Sequence, residues 1–405
     1  MGVAKRAWME AQERGWDSSD EFVCTDCVDD YALEAAIAVS SDAGEACSFC
    51  GAQGAAPIDV LTEAFVDGLW REHEDADEGV SYNSAEGGYI FLGDHWDSWD
   101  LVEHYGEVFV GDGLIDRVQE LIHERVWVER DFAWRRRDDV LRDAWGEFSE
   151  AVKFRTRYVI WLVKDAEEYM MRGSGEVPPG RVLYDIGSIL DELDLIRELP
   201  PTTPLWRAQT HTGPALAGGP SASRLGTAPR AHAKQPNRMS PAGIPMFYAA
   251  EESATAIAEV TRHVAASKDH VTVGRFGASA PLMVVDFTSL PSYISLFDPE
   301  RGHLHRQVRF LNEFVADLSR PIAPGDEQVE YVPTQVMTEF FLRVYEQSAE
   351  GRPDISGIRY PSAAAPGGIS LVLDVDNAHC VERSADAPTG LHVVLDTGSI
   401  ETAPI

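Results

Sequence analysis

Three prolines within five residues, Pro200, Pro201 and Pro204, divide this 405-residue chain into halves of different periodicity. Proline lacks a backbone donor and pushes the residue before it out of helical conformation. No helix is expected to run through that segment. Before it, apolar residues recur at helical spacing. Val60, Leu61, Phe65, Val66, Leu69 and Trp70 predict a helix over 59–72, and Ile115, Val118, Leu121 and Ile122 another within 114–127. Residues 130–171 hold one glycine and no proline, which predicts one long helix or two in line. A further helix is predicted over 182–199. Beyond the prolines, short runs rich in β-branched or aromatic residues predict strands at 205–209, 246–250, 271–276, 282–287, 355–360 and 370–375. Helical runs fall between them at 253–266, 303–318 and 334–345. This irregular alternation predicts an α+β class and not a doubly wound sheet. The length suffices for two domains, each with its own core.

Charge is spread as unevenly as periodicity. The chain carries a net charge of −33. Residues 1–200 hold 45 acidic and 18 basic side chains, residues 201–405 hold 22 and 16. So acidic a first half repels polyanions at long range, which argues against general nucleic-acid binding. Residues 201–250 are the exception: Arg207, Arg224, Arg230, Lys234 and Arg238 occur there with no Asp or Glu. A local excess of guanidinium groups in an acidic chain points to a held anion. Tyr248 closes this gap, and Glu259 follows on a helix opening at Ser253. The Gly/Pro/Ser/Ala-rich stretch 213–243 reads as a long loop, either functional or disordered. No window approaches eighteen consecutive apolar residues. The opening residues match neither a signal peptide nor a myristoylation site. The expectation is a cytosolic protein without a membrane partner.

Cys24-Thr25-Asp26-Cys27 and Cys47-Ser48-Phe49-Cys50 form C-x2-C-x19-C-x2-C. Two such knuckles can close a tetrahedron of thiolates on zinc. Four thiolates leave no open position, so the expected role is structural; a redox pair or four unrelated thiols are the alternatives. Cys380 reads as a small buried hydrophobe. His73, among five acidic neighbours, reads as part of a solvated loop. His303 and His305 read as a helix entry. Arg117 and His123 fit the loose Arg-x4–6-His spacing of HEPN ribonucleases and are expected on one helix. Ser362, in Gly357-Ile358-Arg359-Tyr360-Pro361-Ser362, is expected at a strand end facing a crevice. It lies in no G-x-S-x-G elbow, which argues against a serine hydrolase.

These residues resemble, as a set, the RES family, named for an Arg, a Glu and a Ser. Leu205-Trp206-Arg207-Ala208 is similar to the family's opening strand. The segment 237–250, from Asn237-Arg238-Met239-Ser240 to Phe247-Tyr248, is similar to its second motif. Thr255-Ala256-Ile257-Ala258-Glu259-Val260 carries the Glu. Tyr331-Val332-Pro333-Thr334-Gln335 and the run ending at Ser362 are similar to the segment with the Ser. The match covers about 203–380. Residues 15–195, with the four cysteines and Gly87-Gly88-Tyr89, more weakly resemble the HEPN/RES N-terminal domain. The resemblance implies a helical N-terminal domain over 1–199 with a zinc-binding segment at 20–55. It implies a RES domain of ADP-ribosyltransferase-like α+β fold over 203–385 and a C-terminal tail over 386–405. It implies toxins that degrade NAD+ by phosphorolysis or hydrolysis, with inorganic phosphate as a possible co-substrate and a cognate antitoxin as a possible partner. Arg207, Tyr248, Glu259 and Ser362 are the expected catalytic set, Arg207, Arg238, Tyr248 and Ser362 the expected substrate contacts. ADP-ribosyl transfer to a macromolecule, or a HEPN-type ribonuclease or binding module, are the alternative readings.

Overall fold

The computed structural model describes residues 3–76, 82–83, 88–89, 94–130, 136–160, 177–262, 267–323, 325–345, 354–383 and 388–405. They form two compact units: residues 1–137 with 292–308, and residues 138–291 with 309–405.

The first unit mixes helices with small sheets. Strands β1 (Phe22–Val23), β2 (Asp42–Ala46) and β3 (Gln53–Pro57) pair antiparallel in the order β1-β3-β2. The helix Tyr31–Ser40 begins where the Asp30 carboxylate accepts the N–H groups of Ala32 and Leu33, which satisfies two of its orphan donors. The helix Ile58–Glu72 follows the expected apolar stripe and buries Leu61, Phe65 and Leu69 completely. The helix predicted within 114–127 stops at Leu121. A short strand, β8 (Val126–Glu129), takes over and pairs with β4 (His73–Asp75) and β7 (His95–Asp97). Between these lie β5 (Tyr82–Asn83) and β6 (Gly88–Tyr89), paired antiparallel; Gly87 falls outside the described residues. The distant segment 292–308 completes this core. Phe297 stacks on Phe65 with ring centroids 5.0 Å apart, and Ser295 donates a hydrogen bond of 2.9 Å to Asp30.

The second unit is built on a nine-stranded mixed sheet. Its strands are β9 (Ile196–Leu199), β10 (Leu205–His211), β11 (Phe247–Ala250), β12 (His270–Ala278), β13 (Leu282–Asp286), β14 (Gly357–Pro361), β15 (Ile369–Leu373), β16 (Cys380–Glu382) and β17 (Val393–Pro404). They run in the order β16-β17-β12-β10-β11-β15-β14-β13-β9. Most pairs are antiparallel; β13–β14 and β16–β17 are parallel. β13 is buried at every position, as its apolar run Leu282-Met283-Val284-Val285 requires, and its last residue, Asp286, is buried with Arg359 as partner. The helices Val182–Glu192, His305–Ser319 and Val332–Arg343 contribute Leu183, Leu190, Phe310, Phe314, Met337 and Phe340 to a core with Val285, Ile358 and Val372.

Several boundaries differ from expectation. The run 182–199 is not one helix: it ends at Glu192, Asp194 takes a left-handed φ of 54°, and the chain continues as β9 against β13. Residues 138–199 thus lie in the second compact unit, although the sequence puts a break at the prolines. Within 130–171 the described helix spans Arg137–Phe154; 131–135 and 161–171 lie outside the described residues, as do 263–266 of the run 253–266. The segment expected as a tail, 386–405, contains β17, which pairs with β12 at 393–396 and again at 401–404, with an irregularity between Val273 and Arg275.

Candidate functional site

Four neighbouring strands and one helix carry the site. β10 brings Arg207, β11 brings Tyr248, β15 brings Ser370, and the end of β14 brings Ser362. Backbone register fixes their spacing: Trp206 faces Ala250, Ala250 faces Ser370, and Ser370 faces Tyr360. The helix Ser253–Thr261 starts three residues after β11 and returns Glu259 over the strands. A cavity of about 320 Å³ opens there, lined by Arg207, Asn237, Tyr248, Glu259, Tyr360 and Ser370 among others.

Arg207 is held by neutral groups. Its Nε donates to the Gly226 carbonyl at 2.9 Å and its Nη1 to the Tyr248 carbonyl at 2.5 Å. The guanidinium packs 5.3 Å from the centre of the Phe247 ring. Gly226 can approach only because it lacks a side chain: a Cβ there would lie 2.5 Å from the Ala222 carbonyl and from Cys380. Among the described residues no carboxylate pairs with Arg207. Burial without such a partner lowers its pKa to about 10. A half-buried cation lacking a counter-charge is a ready contact for a ligand anion.

Glu259 is exposed, yet one of its oxygens is fixed. Ser362 donates to Oε1 at 2.6 Å and Ser370 donates to the same oxygen at 3.1 Å. The Ser362 hydroxyl in turn accepts the N–H groups of Ala364 and Ala365, each at 3.1 Å. Its hydrogen is thereby directed at Glu259, so the structure ties Ser362 to the carboxylate. The Gly/Ala turn that carries these donors docks on the glutamate's own helix. A Cβ at Gly368 would meet Thr255 Oγ1 at 2.5 Å.

Tyr248 lines the cavity with its ring and engages its hydroxyl elsewhere. The hydroxyl accepts the Met239 N–H at 3.1 Å and lies 3.0 Å from Ser240 Oγ. Burial raises its pKa to about 12, so it stays protonated. Gln335 donates to the Asn237 carbonyl at 2.8 Å, and Thr334 donates to the Arg238 carbonyl. The stretch 213–243 is therefore ordered where it forms the cavity wall, because the helix Val332–Arg343 clamps it.

The five cations of the acid-free segment do not converge. Arg207 lines the cavity. Arg238 donates to the carbonyls of Leu318 (2.6 Å) and Arg320 (2.8 Å) and lies along an adjoining cavity of about 620 Å³. Arg224 and Lys234 are exposed, and Arg230 sits 3.8 Å from Asp376. Asn237, Tyr360 and Ser370 are site residues that the sequence reading did not single out. Ser370 is a polar interruption in an apolar buried strand, and that was its available signal.

Residues 204–396 match the RES domain family, and residues 40–166 match HEPN/RES N-terminal domain 1. The second half of this chain is a RES domain. No curated protein and no solved structure matches the chain. The RES domain marks an NAD+-processing enzyme of toxin type, and NAD+ fits as its substrate. Arg207, Glu259 and Ser362, the residues expected from the resemblance to be the domain's Arg, Glu and Ser, all lie in the matched range. Ser362 and Glu259 are in direct contact, while Arg207 lines the same cavity as Glu259.

The region before the RES domain holds a second site. The sulfurs of Cys24, Cys27, Cys47 and Cys50 all lie within 4.8 Å of one another. Individual separations are 3.8 Å (Cys24–Cys27), 3.4 Å (Cys24–Cys50) and 3.6 Å (Cys27–Cys47). A tetrahedron with Zn–S bonds of about 2.3 Å has edges of about 3.8 Å, so the four sulfurs fit a metal ion. The second knuckle turns through Gly51 at a φ of 76°, with its N–H on the Cys47 carbonyl at 2.9 Å. Burial raises the Cys24 thiol to about 11. At Cys47 the N–H groups of Phe49 and Cys50 outweigh burial and bring the thiol down to about 7.

Two other expectations for this region change. His73 is not on a solvated loop: it is 2 % exposed, its Nε2 meets the Tyr105 hydroxyl at 3.0 Å, and burial lowers its pKa to about 4. Arg117 and His123 do not share a helix, since His123 lies beyond its end. Arg117 is engaged with Glu21, Glu120 and Ser19, and His123 lies 3.2 Å from Asp17. His303 and His305 do sit at a helix entry, and His305 meets Glu72 at 3.0 Å. Cys380 is buried. No helix among the described residues is long and apolar enough to cross a membrane.

Proposed function

We propose that the RES domain cleaves the N-glycosidic bond between nicotinamide and ribose in NAD+, by phosphorolysis or hydrolysis. The observation that carries this reading is Glu259: an exposed carboxylate beside the cavity, with Oε1 fixed by two serine hydroxyls and Oε2 without a hydrogen-bond partner among the described residues. The nicotinamide ring of NAD+ is cationic. When the C1′–N bond breaks, its electron pair returns to the ring nitrogen and a neutral amide departs. No strong general acid is needed. The ribose carbon becomes oxocarbenium-like, and a fixed carboxylate stabilises that charge. A phosphate or water oxygen then bonds to C1′, and water's proton passes to solvent. Arg207, with no acidic partner, supports contact with the pyrophosphate or the incoming phosphate. Tyr248 supports packing against nicotinamide or ribose. Arg238 is the weaker anion contact, because two carbonyls already engage it.

Proton NMR of NAD+ incubated with the full chain, with and without phosphate, tests the proposal. Free nicotinamide should appear without any protein acceptor. A phosphate-dependent rate and an ADP-ribose 1-phosphate product identify phosphorolysis; ADP-ribose formed at the same rate in both buffers identifies hydrolysis. NAD+ left intact unless a macromolecule is added would move the assignment to ADP-ribosyl transfer. We further propose that the four cysteines hold a structural zinc ion, since four thiolates would close its coordination. Engagement of Arg117 with Glu21 argues against a ribonuclease centre there.

A further inference from the structure

Two of the three residues expected to be the domain's Arg, Glu and Ser touch directly, and a third side chain shares their contact. Ser370 is 3 % exposed and lies on β15, between β11 and β14 in the sheet. Its hydroxyl donates to Glu259 Oε1 at 3.1 Å, the oxygen that Ser362 also reaches. The remaining described residues of β15, Ile369, Leu371, Val372 and Leu373, are apolar. A hydroxyl in such a strand is costly to bury without a partner, and its described partner is this carboxylate.

We propose that Ser370 is a positioning residue for Glu259. The inference rests on the NAD+-cleavage reading and names a part of that site. A glutamate side chain has three rotatable bonds, and an exposed one samples several rotamers. One hydrogen bond fixes a point on the carboxylate; it leaves rotation about that point free. Two donors on Oε1 approach from different elements, the turn after β14 and the body of β15. Together they fix both the position of Oε1 and the direction of Oε2. Oε2 is thus held out for the ribose without engaging either serine. The two mounts differ in stiffness. Ser362 sits in a turn braced by its own N–H groups, whereas Ser370 is fixed by backbone pairing on both sides. Ser370 therefore supplies the rigid reference and Ser362 the shorter bond.

The test uses the full chain and five proteins: wild type, Ser370→Ala, Ser370→Thr, Ser362→Ala and Ser362→Ala/Ser370→Ala. In Ser370→Ala, kcat for NAD+ loss should fall about tenfold while KM stays within twofold. Thr should recover most of the loss, because it restores the hydroxyl. The double variant should lose less than the product of the two single losses, because the carboxylate is already free once one mount is gone. A kcat within twofold of wild type in Ser370→Ala overturns the proposal, as do fully multiplicative losses. A crystal structure of Ser370→Ala gives a readout that does not depend on turnover: Glu259 should occupy more than one rotamer or rotate away. A single unchanged rotamer overturns the proposal even if the wild type proves not to consume NAD+. Wild type without NAD+ turnover, together with a displaced Glu259 in the variant, overturns the functional reading and leaves the positioning role standing.

Discussion

The cysteine cluster and the RES cavity are both built from a few polar side chains, but they differ in what they leave over. The four sulfurs face one another, three are buried, and together they match the edges of one tetrahedron. A metal bound there would use every ligand. In the RES cavity each polar group is held firmly and still retains capacity. Arg207 is anchored by two carbonyls and meets no carboxylate among the described residues. Glu259 is anchored through one oxygen and keeps the other. Saturation marks a site that holds the fold. Anchored groups with unused valence mark a site that meets a ligand.

Substitutions can break or sharpen this contrast, in decreasing order of expected effect on NAD+ consumption. Glu259→Gln keeps the shape and an acceptor for both serines but removes the charge. It should reduce turnover more than a hundredfold, on the order of 3 kcal/mol for an electrostatic contribution of this kind, with an unchanged unfolding midpoint. Near-normal turnover would sink the mechanism. Arg207→Ala should raise KM for NAD+ strongly, by about 2–5 kcal/mol if a charged contact is lost from a desolvated site. Arg207→Lys should recover only part, since an ammonium lacks the planar fork. Arg224→Ala and Arg230→Ala should stay within about twofold of wild type. Equal damage from all three would mean a diffuse basic surface in place of a single anchored cation.

Tyr248→Phe separates the ring from the hydroxyl. It keeps the cavity wall and the carbonyl that holds Arg207, and removes the bond to Met239 and Ser240. A loss of about 1 kcal/mol is expected, seen as a modest rise in KM and a lower unfolding midpoint. A hundredfold fall in kcat would instead make the hydroxyl a participant in the chemistry. The smallest effect on turnover belongs to the saturated site. Cys47→Ser with Cys50→Ser should abolish stoichiometric metal in elemental analysis and remove hydrogen-exchange protection over residues 20–57, because metal binding and local folding are coupled. NAD+ turnover should remain within about twofold. Protein with no bound metal before mutation would remove the zinc assignment altogether.

The same contrast explains what could be read in advance. The cysteine site is written locally, as two knuckles whose spacing is itself the geometry. The RES site joins residues from 207 to 370, and single-residue patterns could not say that they meet. Only the resemblance of whole motifs groups Arg207, Glu259 and Ser362 as candidates. Ser370 was passed over because one hydroxyl in an apolar strand says little until its partner is known. Charge counting misled in part: five cations without acids looked like one cluster, yet Arg224, Lys234 and Arg230 point to solvent or to Asp376. The helix over 182–199 was overextended because Leu195, Ile196 and Leu199 continue an apolar rhythm past the left-handed turn at Asp194. β17 was invisible for the opposite reason. Asp396 through Pro404 is largely polar and exposed, and its backbone pairing with β12 leaves no apolar alternation to detect.

That strand also backs the candidate site. β12 lies between β10, which carries Arg207, and β17, the last of the nine in sequence. Arg207, Tyr248, Glu259, Ser362 and Ser370 all precede 393–404. Without that segment β12 would present a row of unpaired backbone groups. A chain lacking 393–404 would thus carry every polar side chain of the cavity on an unfinished frame.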